Sequence, residues 1–396
     1  MSDLNRGDGY KAKGGVVLFL IINASLIFLL FSPYIPNVIN QELDRQFLEG
    51  IDDRIDEVRT DNFKITISYE NGTMVSNTEV EFTLIKHDFL FGCNFFPFNN
   101  TGTSEGNEKY YAYFKDLFNV ATLPFYWSSY EPSEGEFPKD ESLSQMINWC
   151  RDHNISTKGH PLAWRNAAGY PEWLPEDKTE VKALLKERIE RIMDLYKGRI
   201  DIWDVVNEPT HLPPIGDQSL FDYVANCYEW VEEMDSDAKL TINDYGILGH
   251  DFGFGPYYNL IADLLREEVP IDYIGFQGRE PRLDWIPATE IWNTLEAYSD
   301  FDLPIHITEF TCPSSGLPIT NSWNKGVWDE KSQAEYAERM YKICFSHPSV
   351  EAIIWWDLWD GASWVKNGGL VDENWNKKEV YECLDHLINS EWHTDG

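Results

Sequence analysis

Glu208 and Glu309 are the residues from which chemistry is most readily built. Each closes a short apolar run, Trp203-Asp204-Val205-Val206-Asn207-Glu208-Pro209 in one case and His306-Ile307-Thr308-Glu309-Phe310 in the other. Two carboxyl groups brought to one cleft are what cleavage of a glycosidic bond requires. One is protonated and donates to the leaving oxygen, while the other is ionised and attacks the anomeric carbon. A lone glutamate at the end of a strand is more often a loop residue or an ion-pair partner; it is the two contexts together that point to catalysis. Polar and aromatic residues also gather at other run ends, in His160-Pro161-Leu162-Ala163-Trp164-Arg165, Asn243-Asp244-Tyr245 and Gln277-Gly278-Arg279. Desolvating so many polar groups without purpose is costly, so these ends are expected to line a pocket.

Such residues need a scaffold that gathers the ends of distant runs. From Asp88 onward, apolar runs alternate with amphipathic segments. The predicted strands are Phe89–Phe95, Asn119–Phe125, Ser156–Trp164, Ile200–Glu208, Lys239–Tyr245, Tyr273–Gln277, Ile305–Phe310 and Ala352–Trp359. Helices are predicted at Lys178–Tyr196, Leu220–Met234, Gln333–Phe345 and Lys378–Leu387. Near-continuous apolar strands imply a parallel sheet buried on both faces. Eight strand–helix repeats over about 300 residues imply an α/β chain folded as a (β/α)8 TIM barrel, with its site at the C-terminal ends of the strands. The alternative, a doubly wound open sheet, wants a glycine-rich phosphate turn after an early strand, and the sequence has none.

The barrel is expected over residues 88–390, preceded at 37–87 by a charged stalk or short helix and a small β element around Asn71-Gly72. Within residues 1–36, Val16–Phe31 is almost wholly apolar and follows Arg6, Lys11 and Lys13. That pattern fits a signal peptide or a transmembrane helix. No small-x-small cleavage site follows it, which favours an uncleaved signal-anchor, with the basic flank cytoplasmic and the catalytic domain extracytoplasmic. Asn-x-Ser/Thr triplets at Asn71, Asn99 and Asn154 agree with that placement.

Composition narrows the partners. A net charge of −35 excludes nucleic acid and argues against polyanionic substrates. The 16 tryptophans suit a cleft that stacks sugar rings. No EF-hand loop or His-Glu-x-x-His segment is present, so neither metal nor cofactor is expected. Cys93, Cys150, Cys227, Cys312, Cys344 and Cys383 are scattered without a CxxC pair. Unpaired buried thiols are expected ahead of a disulfide framework, with Cys344–Cys383 the pair to form if one does.

The motifs together resemble glycoside hydrolase family 10, the barrel endo-β-1,4-xylanases, over roughly residues 63–390. The likeness is carried by Trp203–Pro209, Ile307-Thr308-Glu309, Gly159–Trp164, Ile274–Gln277, Trp356-x-x-x-Asp360-x-x-Ser363-Trp364, Asp372-Glu373-Asn374, and Trp127–Phe137 with Glu131, Pro132 and Gly135 in register. The resemblance implies a monomeric retaining hydrolase acting on xylan, with Glu208 as acid/base and Glu309 as nucleophile. It gives Asn207 to the sugar 2-hydroxyl, and His160, Trp164, Gln277, Trp356 and Trp364 to the subsite of bond cleavage. Tyr245 is counted with the substrate-binding residues. Other readings are a different β-linked glycan as substrate, or a surface glycan-binding protein without catalysis.

Three departures from the family pattern stand out. Thr122-Leu123-Pro124-Phe125-Tyr126 replaces a Glu-Asn pair and a Lys, so the distal subsite is expected to bind by stacking and shape. Arg165 and Arg279 each stand where the family has His. Arg279 is expected to sit as a cation beside Glu309 and favour its ionised form, or else to pair with Glu280 or Asp284 on its own loop.

Overall fold

The computed structural model describes residues 35–279 and 282–396. Its frame is eight parallel strands closed into a barrel in sequence order: β1 (Leu90–Asn94), β2 (Val120–Pro124), β3 (Ser156–His160), β4 (Ile202–Asn207), β5 (Lys239–Asp244), β6 (Tyr273–Phe276), β7 (Ile305–Phe310) and β8 (Val350–Trp355). β8 returns to pair with β1. Two helices precede the barrel, α1 (Ile35–Glu49) and α2 (Ile51–Arg59). The outer ring is α3 (Ser104–Leu117), the short α4 (Trp127–Tyr130), α5 (Asp140–Asp152), α6 (Lys178–Tyr196), α7 (Leu220–Met234), α8 (Pro256–Arg266), α9 (Ala288–Ser299), α10 (Glu330–Ser346) and α11 (Glu379–His386). The barrel expectation thus holds, and α6 and α7 fall on their predicted limits.

Local chemistry explains where these helices start. The Asp177 carboxylate accepts from the Thr179 and Glu180 N–H groups at the head of α6, and Ser219 caps α7 through Asp222 N–H. Asp329 and Ser332 form a reciprocal capping box on α10. Both faces of the strands are covered, and every residue of β4 and β7 is buried, the polar ones included. Tight approach within the barrel is visible at Gly159 of β3, where a Cβ would lie 2.2 Å from the Trp203 ring on β4.

The region before the barrel differs from expectation. Of the two readings of residues 37–59, the helical one agrees with the structure and the stalk does not: α1 and α2 pack against the barrel's own helices. Asp44 is buried and accepts from Trp323 Nε1 (2.7 Å), the Ala288 N–H that opens α9 (2.7 Å), and Arg339 of α10. Arg59 donates to the carbonyls of Phe345, His347 and Val350 at 2.7–2.8 Å. These contacts give the charged segment a docking surface that its composition alone conceals. The expected β element shrinks to two isolated antiparallel bridges, Ser68 with Met74 across the Asn71-Gly72 turn and Thr83 with Asp395 near the C-terminus. An isolated hairpin has too little apolar face to hold its strands, and Phe63, Tyr69 and Ile85 are largely exposed.

Val16–Phe31 lies outside the described residues. Among those described, no helix is long and apolar enough to cross a membrane. All six cysteines are free, including Cys344 and Cys383.

Candidate active site

The C-terminal strand ends converge on a cleft of about 660 Å³ lined by Tyr126, Trp164, Glu208, Tyr245, Gln277, Arg279, Trp356 and Trp364, with Asn166, Ala168 and Arg282 at its edge. Glu309 and His160 lie just beneath, 1% and 2% exposed. Glu208, Glu309, His160, Trp164, Tyr245, Gln277, Arg279, Trp356 and Trp364 therefore sit in or directly below one cleft.

Two breaks in strand register place the glutamates. β4 slips against β5 between Asp204 and Val206, and β7 slips against β8 between Ile307 and Phe310. Bulges of this kind turn a side chain away from its alternating direction. Glu208 itself adopts a left-handed backbone, φ 55°. For a residue with a Cβ, and before Pro209, this costs on the order of 1–3 kcal/mol. The turn is held by Asn207 N–H to Ala163 O (2.9 Å) and Glu208 N–H to Asn243 O (2.8 Å).

The two carboxyl groups have unlike surroundings. Among the described residues, Glu208 accepts from two neutral donors, Gln277 Nε2 on one oxygen and Trp164 Nε1 on the other, each at 2.9 Å. Burial pushes its carboxyl up from the ordinary range, against the downward pull of those two bonds. Glu309 lies 2.8 Å from the Arg279 guanidinium and accepts from Asn243 Nδ2 at 3.0 Å. One carboxyl thus lies among neutral donors and the other beside a guanidinium.

Arg279 takes the position beside Glu309. Of the loop partners considered for it, Asp284 instead binds Thr320 and Asn321, and Glu280 lies outside the described residues. The Arg279 guanidinium is also within 5.1 Å of the Trp356 ring centroid and 4.4 Å of Trp364, an arrangement that holds a cation by ring quadrupoles.

Asn243 of β5 ties the floor together. Its amide donates to Asn207 Oδ1 (2.8 Å) and to Glu309, and its oxygen accepts from Thr308 (2.6 Å). Asn207 takes part in this network as an acceptor, through its oxygen. Gly275 keeps room for this, since a Cβ there would come within 2.7 Å of Asn243 Oδ1. Gln277 offers a buried group: its Oε1 has no protein partner. Tyr245 lines the far wall with its ring stacked on His211 at 3.7 Å.

The departures resolve differently. Tyr126 reaches the cleft and meets His160 edge-on at 5.5 Å, whereas Leu123 turns into the core, fully buried. Arg165 stacks on Tyr170 at 3.5 Å and is not part of the lining. The Trp127–Gly135 motif is a loop clamp: Glu131 accepts from Trp127 Nε1 and from Gly135 N–H, both at 2.9 Å.

Sequence reasoning passed over Asp357, which follows Trp356 at the end of β8 and carried the same strand-end signal as the others. It accepts from Asn94 Nδ2 at 2.9 Å and from Trp364 N–H at 2.8 Å. Burial pushes its carboxyl up to about 7. Asp204 and Lys158, both buried below His160, were also missed. Among the described residues, no group of three or more His, Cys, Asp or Glu is arranged to hold a metal.

Trp164→Phe provides a direct check on the acid. Removing a donor to the carboxylate leaves burial less opposed, so the Glu208 proton should persist to higher pH. The basic limb of kcat/KM should move upward. A limb that stays put or moves down would dissociate Glu208 from that ionisation.

Comparison with known proteins gives a consistent picture. The model of Glycosyl hydrolase family 10 matches residues 83–386. The chain is 30% identical over 310 residues to Endo-1,4-beta-xylanase B of Thermotoga neapolitana, covering 73% of this chain and 86% of that one. It is 27% identical to Anti-sigma-I factor RsgI6 of Acetivibrio thermocellus, covering 88% of this chain but only 43% of that protein. Among solved structures, xylanase 10B from Thermotoga petrophila RKU-1 in complex with xylobiose superposes with a TM-score of 0.62 at 27% identity, covering 77% of this chain and 95% of that one.

Proposed function

This chain belongs to glycosyl hydrolase family 10, and from that premise we propose that it is a retaining endo-β-1,4-xylanase with Glu208 as acid/base and Glu309 as nucleophile. The observation that carries the reading is the unlike setting of the two carboxyl groups within one cleft. Glu208 is buried among neutral donors, while Glu309 is paired with Arg279. Glu208 gives its proton to the glycosidic oxygen as Glu309 attacks the anomeric carbon and the C–O bond breaks. Ionised Glu208 then takes a proton from the water that displaces Glu309. Asn207 and Gln277 bind the hydroxyls of the reacting sugar, while Trp356, Trp364 and Tyr245 supply stacking faces.

Incubation with xylan should release reducing ends, and the first-formed product should keep the β configuration at the new anomeric carbon by NMR. Activity confined to mannan or mixed-linkage glucan would move the substrate, and an α product would overturn retention. A glycan-binding protein without catalysis has no use for the paired glutamates. The apolar Val16–Phe31 run with its basic flank further supports a membrane-anchored, extracytoplasmic placement.

A further inference from the structure

Beneath the cleft, four ionic or titratable side chains line up across the barrel. Lys158 of β3 is fully buried and its Nζ lies 2.7 Å from Asp204 Oδ1 on β4, as an ion pair. The other oxygen, Asp204 Oδ2, is 2.7 Å from His160 Nδ1. His160 Nε2 in turn faces Glu309 Oε1 at 3.9 Å, beyond hydrogen-bond reach. Burial acts upward on Asp204, yet the Lys158 ammonium and the His160 ring hold its carboxyl below the ordinary range. An ionised carboxylate only accepts, so the Nδ1 of His160 carries a proton.

We infer that Lys158 is a positioning residue for the reaction: by engaging one oxygen of Asp204, it leaves the other to hold His160 with Nδ1 protonated and a bare Nε2 facing Glu309 and the sugar. The inference rests on the β-xylanase reading above. Its physical basis is charge balance in a dry interior. Two pairs are enclosed here, Lys158 with Asp204 and Arg279 with Glu309. His160 is otherwise surrounded by the rings of Tyr126 and Trp356. On β7, His306 is held neutral, since burial and then Lys158 push it down to about 3. These two pairs sum to zero charge with His160 neutral, and the neighbouring carboxyls of Glu208 and Asp357, which burial pushes up, add none while protonated. Removing Lys158 leaves one uncompensated carboxylate, a state of high cost in low dielectric. A second proton on His160 restores balance, but it converts Nε2 from an acceptor of the sugar hydroxyl into a cationic donor toward Glu309.

The test uses Lys158→Met, which keeps the length of the chain without its charge. With an aryl β-xylobioside, its kcat/KM should fall at least tenfold at and below neutral pH, on the scale of other small disturbances of active-site geometry. Activity should climb again toward alkaline pH as the extra proton leaves. Lys158→Arg should restore the original profile. In Lys158→Met/Asp204→Asn, which has no surplus charge, the alkaline rise should vanish. A Lys158→Met enzyme with the unaltered pH profile, whether active or uniformly weak, overturns the inference.

Should Lys158→Met fail to fold, ¹⁵N-histidine NMR of the unaltered enzyme decides instead. The His160 signal, assigned by its loss in His160→Gln, should report Nδ1–H with a bare Nε2. A protonated Nε2 at neutral pH overturns the inference. If the unaltered enzyme does not turn over xylosides at all, the xylanase reading falls, and the His160 tautomer compared between the unaltered enzyme and Lys158→Met still judges Lys158.

Discussion

Glu309→Ala should lose turnover by at least about 10⁴-fold on every substrate, because no other group can supply the covalent step. The structure adds a specific reason for chemical rescue. Glu309 is the ion-pair partner of Arg279, whose side chain is only 10% exposed. Truncation leaves that guanidinium unpaired and opens a small cavity beside it, which is an invitation to a small anion. Azide or formate should therefore restore turnover of an activated aryl xyloside. The anion attacks from the side that the carboxylate occupied, the aryl oxygen departs with the bonding pair, and the product is the α-glycosyl azide. A β-azide, or equal rescue in an Arg279→Ala background, would count against this geometry.

Glu208→Ala should show the opposite signature. Loss of the acid should cost about 10²–10⁴-fold on xylo-oligosaccharides, whose leaving sugar needs a proton. Formation of the glycosyl-enzyme from a dinitrophenyl xyloside should be far less affected, since that phenolate leaves unaided. Hydrolysis of the intermediate also needs Glu208, as base, so a burst followed by slow turnover is expected. Azide should accelerate this second step and give the β-glycosyl azide, because it now displaces Glu309 from the other face. Equal loss on both kinds of substrate would remove Glu208 from the acid/base role. The buried setting pushes its carboxyl up from the ordinary range, the direction that favours a proton donor.

Much of this was legible in the chain itself, because it depends on local order. The amphipathic pattern placed α6 and α7 to the residue, and in the structure Asp177 and Ser219 cap them, since helix ends are set by side chains within a few positions. Eight such alternations leave few architectures open, and a parallel barrel brings its C-terminal strand ends together whatever their distance in sequence. For that reason Glu208, Glu309, Asn207, Gln277 and Trp164 could be grouped before any coordinates were known.

What the tertiary structure alone decided is pairing and direction. Alternation along a strand says which side chains share a face, but the slips beside Asp204 and Ile307 break that alternation where it matters most. Sequence left Arg279 a choice between its own loop and Glu309, and only the approach of β6 to β7 brings it to the nucleophile. Leu123 and Tyr126 belong to one short segment, yet one turns into the core and the other into the cleft. The charged stretch around Asp44 gave no sign of its burial, which exists only because Arg339, Trp323 and the head of α9 converge from far along the chain. Periodicity and capping are properties of neighbours in sequence, and so they can be read there. Ion pairs and bulges are properties of register between distant segments, which is set when the whole barrel closes.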